Sequence, residues 1–345
     1  MKLSMPLSYA GGFAESARQT AELEKAGLDT VWVAEAYGFD GPSLMGYLAA
    51  KTEKVEIGAA ILNIYSRTPT LLAMTGAGID ALSGGRCVLG LGASGPQVIE
   101  GFHGVPYDKP LTRTREVIEV CRKVWAREEA LTHSGKVFEI PLPADQGTGL
   151  GKALKIIGRP VRPRIPIWVA SLGEKNVEMT AEIADGWLPI FFVPEKYREV
   201  FGPSLNAGTA KRDPSLGPLQ IAAGGIFAIG EESEVAGVRN MGRAGAALYI
   251  GGMGAKGRNF YNDLACRYGY EEEAAEIQDL YLSGEKEKAA ALVPDDLLEA
   301  TSLCGPEGYI KERLAAFKEA GITHLNVNPV GADPVVMIER LRSWL

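Results

Sequence analysis

The stretch VEIGAAILNIYSRTPTLLAMTGAGIDALSGGRCVLGLGASG, residues 55–95, decides the fold. Val55 to Ile64 is nearly all apolar, too short to span a membrane and too rich in Ile, Val and Ala for an exposed edge, which predicts a strand buried on both faces. Thr68-Pro69 opens a helix expected to carry Leu71, Leu72, Met74, Ala77 and Ile79 inward, and Ser83-Gly84-Gly85 stops it. Arg86 to Gly92 then returns as a second apolar strand. A strand, a helix and a strand within about forty residues form a βα crossover, which makes the sheet parallel.

Working outward, the alternation continues. Lys2–Pro6 and Thr30–Ala34 read as strands around a helix Phe13–Ala26 that Gly27 closes, and Pro42–Ala50 reads as a helix. Helix Thr112–Ala126 places Val117, Val120, Cys121, Val124 and Trp125 on one face. Strand Ile167–Ala170, helix Asn176–Ala184 and strands Trp187–Ile190, Ile221–Ile229 and Thr323–Asn328 follow, making eight strands. A last helix has Asp333 as N-cap, Pro334 at its first position and Met337, Ile338 and Leu341 on one face. KEAGITHLNV (318–327) repeats EKAGLDTVWV (24–33), as a closed ring of βα units would. The α/β class is therefore refined to a single (β/α)8 TIM-barrel domain over residues 1–345, with insertions at about 127–164 and 249–303. Catalysis in barrels sits just after the strands, here Ser8–Gly12, Glu35–Asp40, Ala60–Thr68, Gly92–His103, Ser171–Lys175, Phe191-Phe192, Gly230 and Asn326–Pro329.

Composition narrows the function. The 345 residues are 46% apolar and 23% charged, with a net charge of −7 and no basic run, which excludes nucleic acid and anionic membrane surfaces as partners. No stretch approaches ~18 uninterrupted apolar residues and the N-terminus lacks a signal-peptide pattern, so a cytoplasmic location is expected. Cys87, Cys121, Cys266 and Cys304 are scattered, without a CxxC pair and with three histidines in the chain, so buried thiols are expected and no metal site.

Gly90-Leu91-Gly92-Ala93-Ser94-Gly95 is a literal GxGxxG, but the Gly- and Pro-punctuated sequence after it and the lack of an acidic strand end ~20 residues on argue against a dinucleotide fold. The turn Ser171-Leu172-Gly173-Glu174-Lys175 feeds a helix N-terminus, where free N–H groups and the helix dipole suit a phosphate. Glu35 is either a catalytic acid or a salt-bridge partner, and His103 either a proton donor or a loop anchor. His133 and His324 read as structural. Phe191, Phe192, Tyr37 and Tyr65 are candidates to wall a planar ligand or to fill the core.

Five stretches, VWVAEAYGFD, LNIYSRTPTLLAMTGAGIDALSGGRCVLGLGAS, IPIWVASLGEKNVEMTAEIADGWLP, GGMGAKGRNFYNDLACRYGYEEEAAEIQDLYLSG and KEAGITHLNVNP, together resemble the bacterial luciferase-like family. They are most similar to its branch of oxidoreductases that use coenzyme F420, an 8-hydroxy-5-deazaflavin, a branch that includes methylene-tetrahydromethanopterin reductase and related actinobacterial reductases. The resemblance implies hydride transfer between the deazaflavin C5 and a small organic substrate, an alcohol or carbonyl, an imine or an activated double bond, and a homodimer is expected. It places the cofactor phosphate at Ala170, Ser171, Leu172 and Gly173; by charge, the Ser171–Lys175 turn, which includes Glu174 and Lys175, together with Lys256 and Arg258, can attract a phosphate with a carboxylate tail. It sets Ala60, Ile61, Leu62 and Asn63 behind the ring, Gly92, Ala93, Ser94 and Gln97 along its edge, and a non-proline cis peptide at Ala60-Ile61. Ala36 stands where many relatives carry a histidine and Gly95 where the sugar-phosphate dehydrogenases carry a glutamate, which argues against glucose-6-phosphate and leaves Glu35, Tyr37 and His103 as candidate acids. The alternatives are an FMN-dependent monooxygenase of the same superfamily and a non-catalytic deazaflavin or flavin carrier.

Overall fold

Apolar strands and amphipathic helices that alternate along one chain bury their faces together only by stacking helices outside a parallel sheet. The computed structural model, which describes residues 1–8 and 11–345, closes that sheet. The strands are β1 (Lys2–Pro6), β2 (Thr30–Val33), β3 (Glu56–Ala59), β4 (Cys87–Gly92), β5 (Ile167–Val169), β6 (Gly186–Trp187), β7 (Gln220–Ile229) and β8 (His324–Pro329). Each pairs in parallel with the next, and β8 returns to β1 through Lys2↔His324 and Ser4↔Asn326. The outer helices are α1 (Phe13–Ala26), α2 (Gly41–Lys51), α3 (Pro69–Ser83), α4 (Pro110–Ala126), α5 (Glu174–Ile183), α6 (Gly202–Thr209), α7 (Glu307–Glu319) and α8 (Pro334–Ser343). This is the (β/α)8 barrel expected. Of the mouth loop Ser8–Gly12, residues 9 and 10 lie outside the described residues.

Local chemistry sets the helix ends. Gly27 and Gly84 take left-handed conformations, φ 107° and 66°, and close α1 and α3, while the Thr68 hydroxyl accepts from Leu71 N at 3.2 Å ahead of Pro69. Helix α4 buries all five residues expected of it. Helix α3 does not: Leu71 and Met74 are 45% and 55% exposed, while Leu72, Ala73, Gly76, Ala77, Ile79 and Asp80 face inward. The reason is close packing, because a Cβ built on Gly76 would lie 2.9 Å from the Trp125 ring, so the small residues take the inner face.

Glycine also makes room inside the barrel. Trp32 fills the space over Gly58 and Trp168 that over Gly186, where a built Cβ would approach the rings to 2.2 and 2.1 Å, and the two rings pack 5.1 Å apart. The predicted strand Val55–Ile64 is interrupted: β3 stops at Ala59, the Ala60-Ile61 peptide is cis as expected, and Leu62-Asn63 resumes pairing with β4. Strand Trp187–Ile190 is shorter than expected, and a missed strand, Leu303–Gly305, pairs with the upper end of β7. The first insertion holds the expected hairpin, His133-Ser134 against Glu139-Ile140, whose Lys136 and Phe138 N–H groups bond the Glu116 carboxylate. The second begins earlier than expected, at helix Glu232–Asn240. All four cysteines are free thiols. Among the described residues no helix is long and apolar enough to cross a membrane.

At the base of the barrel Glu56 accepts from Lys2 Nζ at 2.8 Å and Thr30 Oγ1 at 2.9 Å, with His324 Nε2 at 3.8 Å. Burial pushes the Glu56 carboxyl up, but hydrogen bonds from His324 and Lys2 and the Lys2 charge outweigh it and hold the group at about 2. A carboxylate lowered from 4.5 to about 2 stabilises the fold above its unfolded value, and that contribution is lost as pH falls through about 2. Glu56→Gln is therefore expected to differ from the parent in Tm most at neutral pH and to converge on it in acid. A Tm difference that stays constant between neutral pH and about pH 2 overturns this.

Candidate functional site

The exits of β2, β3, β4 and β5, four neighbouring strands, bring most of the sequence-predicted residues to one rim. After β2, Glu35 is buried and held by Arg67 through two bonds, Nη1 to Oε2 at 2.7 Å and Nη2 to Oε1 at 2.6 Å, while Gly41 N donates to Oε1 at 3.1 Å. Arg67 also reaches Asp40 Oδ1 at 2.7 Å. Hydrogen bonding to Glu35 raises the Arg67 pKa; burial lifts that of Asp40, but bonds from Ser43 and the Arg67 charge bring it below its ordinary value. The salt-bridge reading of Glu35 is the one the geometry fits. Among the described residues five non-glycine residues have positive φ, and three of them, Ala36 (48°), Ser94 (57°) and Phe191 (51°), follow β2, β4 and β6; such strain gathers at ligand sites.

Asn63, just past the interruption in β3, joins two distant loops. Its Oδ1 accepts from Tyr65 N at 3.1 Å and Ser66 N at 2.7 Å, which turns its NH2 toward His103 Nε2, 3.4 Å away. An amide donor there assigns Nε2 as acceptor and puts the proton of neutral His103 on Nδ1. His103 lies edge-on to Phe102 at 5.2 Å, and Phe102 lies 6.1 Å from Tyr37, so Tyr37 and His103 share one rim. Of the other aromatic candidates, Phe191 meets Tyr249 at 5.9 Å. Phe192 and Tyr65 are core residues: Phe192 is buried against Trp187, and Tyr65 stacks on Tyr107 and donates to Asp108 O.

Gly90 and Gly92 lie within β4, where a Cβ on Gly90 would fall 1.7 Å from Ala59 O and one on Gly92 2.9 Å from the Ile61 side chain. The GxG therefore serves packing against the interrupted strand. A six-residue helix, Pro96–Gly101, opens after Gly95, which the punctuated sequence did not predict; Gln97 lies in its first turn.

After β5, Ala170 N bonds Leu91 O at 2.9 Å, and the Ser171 hydroxyl is turned inward to Thr180 Oγ1 at 2.8 Å. Ser171 O accepts from Trp187 Nε1 at 2.9 Å, so any ligand contact at this residue falls to its backbone N–H. Gly173 is the N-cap of α5 with no side chain capping it, while its carbonyl accepts from Asn176 N and Val177 N. The N–H groups of Glu174 and Lys175 thus have no acceptor among the described residues, at the positive end of the helix dipole. The second insertion covers this turn: Phe260 lies 3.7 Å from a Cβ built on Gly173, and Arg267 donates to Leu172 O at 3.4 Å and to Val200 O. A hollow of about 410 Å³ opens beside it, lined by Lys175, Ser204 and Arg267 among others. Lys256 is ion-paired with Asp279, so its charge is partly spent, and Arg258 is exposed two residues before Phe260. Sequence reasoning missed Arg267, Phe260 and Phe102; the NFYNDLACR run was the available signal for the first two.

A parallel barrel whose strained strand exits surround an open, small-residue mouth defines a TIM-barrel enzyme with its site at the C-terminal face. Residues 2–324 match the luciferase-like monooxygenase family, and the chain belongs to it. It is 39% identical over 342 residues to a putative coenzyme F420-dependent oxidoreductase of Mycobacterium tuberculosis, covering 97% of each chain. It is 27% identical over 318 residues to 5,10-methylenetetrahydromethanopterin reductase of Archaeoglobus fulgidus, covering 90% of this chain and 88% of that one. Its fold matches the coenzyme F420-dependent tetrahydromethanopterin reductase of Methanopyrus kandleri with a TM-score of 0.77 at 24% identity, covering 98% and 96%.

Proposed function

We propose that the chain is an F420-dependent oxidoreductase that moves a hydride between the deazaflavin and a small organic substrate. The observation that carries it is the uncapped N-terminus of α5 at Gly173, two strand exits from the interruption at Ala60-Ile61, in a chain 39% identical over 342 residues to a putative F420-dependent oxidoreductase. The residues fit the group: free N–H donors at Glu174 and Lys175 suit its phosphate, and Ala60 and Ala93 are small enough to leave room for a flat ring. F420, when bound, supplies a hydride at C5. The protein's part is orientation and one proton. Ala60, Ile61, Leu62 and Asn63 back the ring, Gly92, Ala93, Ser94 and Gln97 follow its edge, and Tyr37 walls the substrate side. His103 gives the proton from Nδ1, held by Asn63 at Nε2. Glu35 positions the rim by holding Arg67.

Titration with F420 and with FMN tests this. Binding of F420 at least about tenfold tighter than FMN is expected; micromolar FMN binding without measurable F420 binding reverses the assignment. In the F420-loaded protein, His103→Asn should leave the titration unchanged and lower turnover by about 10²- to 10⁴-fold; unchanged turnover removes His103 as donor.

A homodimer is the proposed assembly, supported by Tyr47 on α2 and Leu71 and Met74 on the neighbouring α3, which present apolar surface to solvent. A light-scattering mass of one 36.9 kDa chain overturns it.

A further inference from the structure

The rim between the proposed proton donor and solvent carries two large rings that the fold does not cover. Tyr37 is 62% and Phe102 64% exposed, and they meet each other 6.1 Å apart at an interplanar angle of 51°, an open wedge. Aromatic rings pack at centroid separations of about 4.5 to 7 Å, so a third ring stacks on the free face of either. The wedge is tied to the reacting end of the mouth, because Phe102 adjoins His103 and His103 is held by Asn63.

Charge narrows what enters. The rim segments 35–40 and 94–103 contain no lysine or arginine, but do contain Glu35, Asp40 and Glu100. Arg67, which reaches these segments, is bound by both Glu35 and Asp40, which leaves that group with one positive and two negative charges. An anionic substrate approaching Tyr37 meets net repulsion from these three side chains.

We propose that Tyr37 and Phe102 form the recognition subsite for an uncharged aromatic group of the substrate, whose carbonyl or activated double bond then lies at His103. This rests on the hydride-transfer reading above and adds the substrate class to it. Sugar phosphates and short carboxylic acids are thereby excluded.

Three enones that share one reactive group provide the test: benzalacetone, its 4-carboxylate, and but-3-en-2-one, which has no ring. Titrated into the F420-loaded protein, benzalacetone is expected to bind at least about tenfold tighter than either of the others. Phe102→Ser, an exposed position where the fold is not at stake, should weaken benzalacetone by about tenfold and leave F420 affinity within about twofold, while Phe102→Tyr should retain both. Equal binding of the carboxylate, or no effect of Phe102→Ser, overturns the proposal. If F420 itself fails to bind, the function reading has failed; the same titrations on the chain alone then decide for or against the aromatic subsite by the same two outcomes.

Discussion

Gly173→Asp is expected to weaken F420 binding by about 1 to 3 kcal/mol while leaving the fold as stable as before. The two halves of that expectation come from the same geometry. Gly173 sits at φ −68° and ψ 143°, a conformation any residue adopts, and a Cβ there meets nothing closer than the Phe260 ring at 3.7 Å. Aspartate is among the best N-cap residues, and its carboxylate would take the Lys175 or Asn176 N–H and oppose the positive helix end, adding a few tenths of a kcal/mol to stability. That carboxylate would then compete for a donor assigned to the phosphate and repel the phosphate's negative charge. Gly173→Asn separates the effects, since it caps equally without charge, and should lose less. Titration of F420 against the three proteins, with Tm measured alongside, reads both. If Gly173→Asp binds as well as the parent, the phosphate lies elsewhere.

What the chain's letters made legible was period, and what they hid was distance. Helix α4 was readable because Val117, Val120, Cys121, Val124 and Trp125 recur at spacings of three and four and all face the core. Helix α3 deceived in part: Leu72, Ala77 and Ile79 face inward as expected, but Leu71 and Met74 stand outside while Ala73 and Gly76 pack inside against Trp125, so a reading that weighs side-chain size misplaces those two. The strand Leu303–Gly305 is three residues long beside Pro306, too short to show any alternation. The interruption at Ala60-Ile61 followed from family resemblance, since Ala-Ala-Ile-Leu reads as an unbroken strand. At the site, Glu35 with Arg67 and Asn63 with His103 are pairs separated by 32 and 40 residues, and only the closed barrel brings their strand exits together. The Ser171–Lys175 turn was visible because its chemistry is local.

The glycines of residues 90–95 separate the barrel from the dinucleotide fold their spacing imitates. In a dinucleotide fingerprint the first glycine makes the tight turn, the second lets the backbone approach the pyrophosphate, and the third, glycine or alanine, lets the helix pack on the strand. Here the order is set by what each Cβ would strike. On Gly90 it would fall 1.7 Å from the Ala59 carbonyl oxygen and 2.7 Å from its carbon, which are backbone atoms and cannot rotate aside. Nor can the strand slide, since β3 and β4 are paired on both sides of that point, at Gly58↔Val88 before it and at Leu62↔Leu91 after it. On Gly92 the Cβ would meet the Ile61 side chain at 2.9 Å, which can give by adjusting its rotamer, and on Gly95 nothing lies nearer than Gln97 Oε1 at 3.3 Å. Gly90→Ala is therefore expected to cost at least about 1 to 3 kcal/mol and to lose F420 binding with the displaced Ala60–Asn63 segment, Gly92→Ala less, and Gly95→Ala to unfold within a degree or two of the parent. Thermal unfolding of the three variants, each with an F420 titration, gives the order directly. Gly90→Ala as stable as the parent, or Gly95→Ala as damaging as Gly90→Ala, would remove the packing role assigned here to the first glycine.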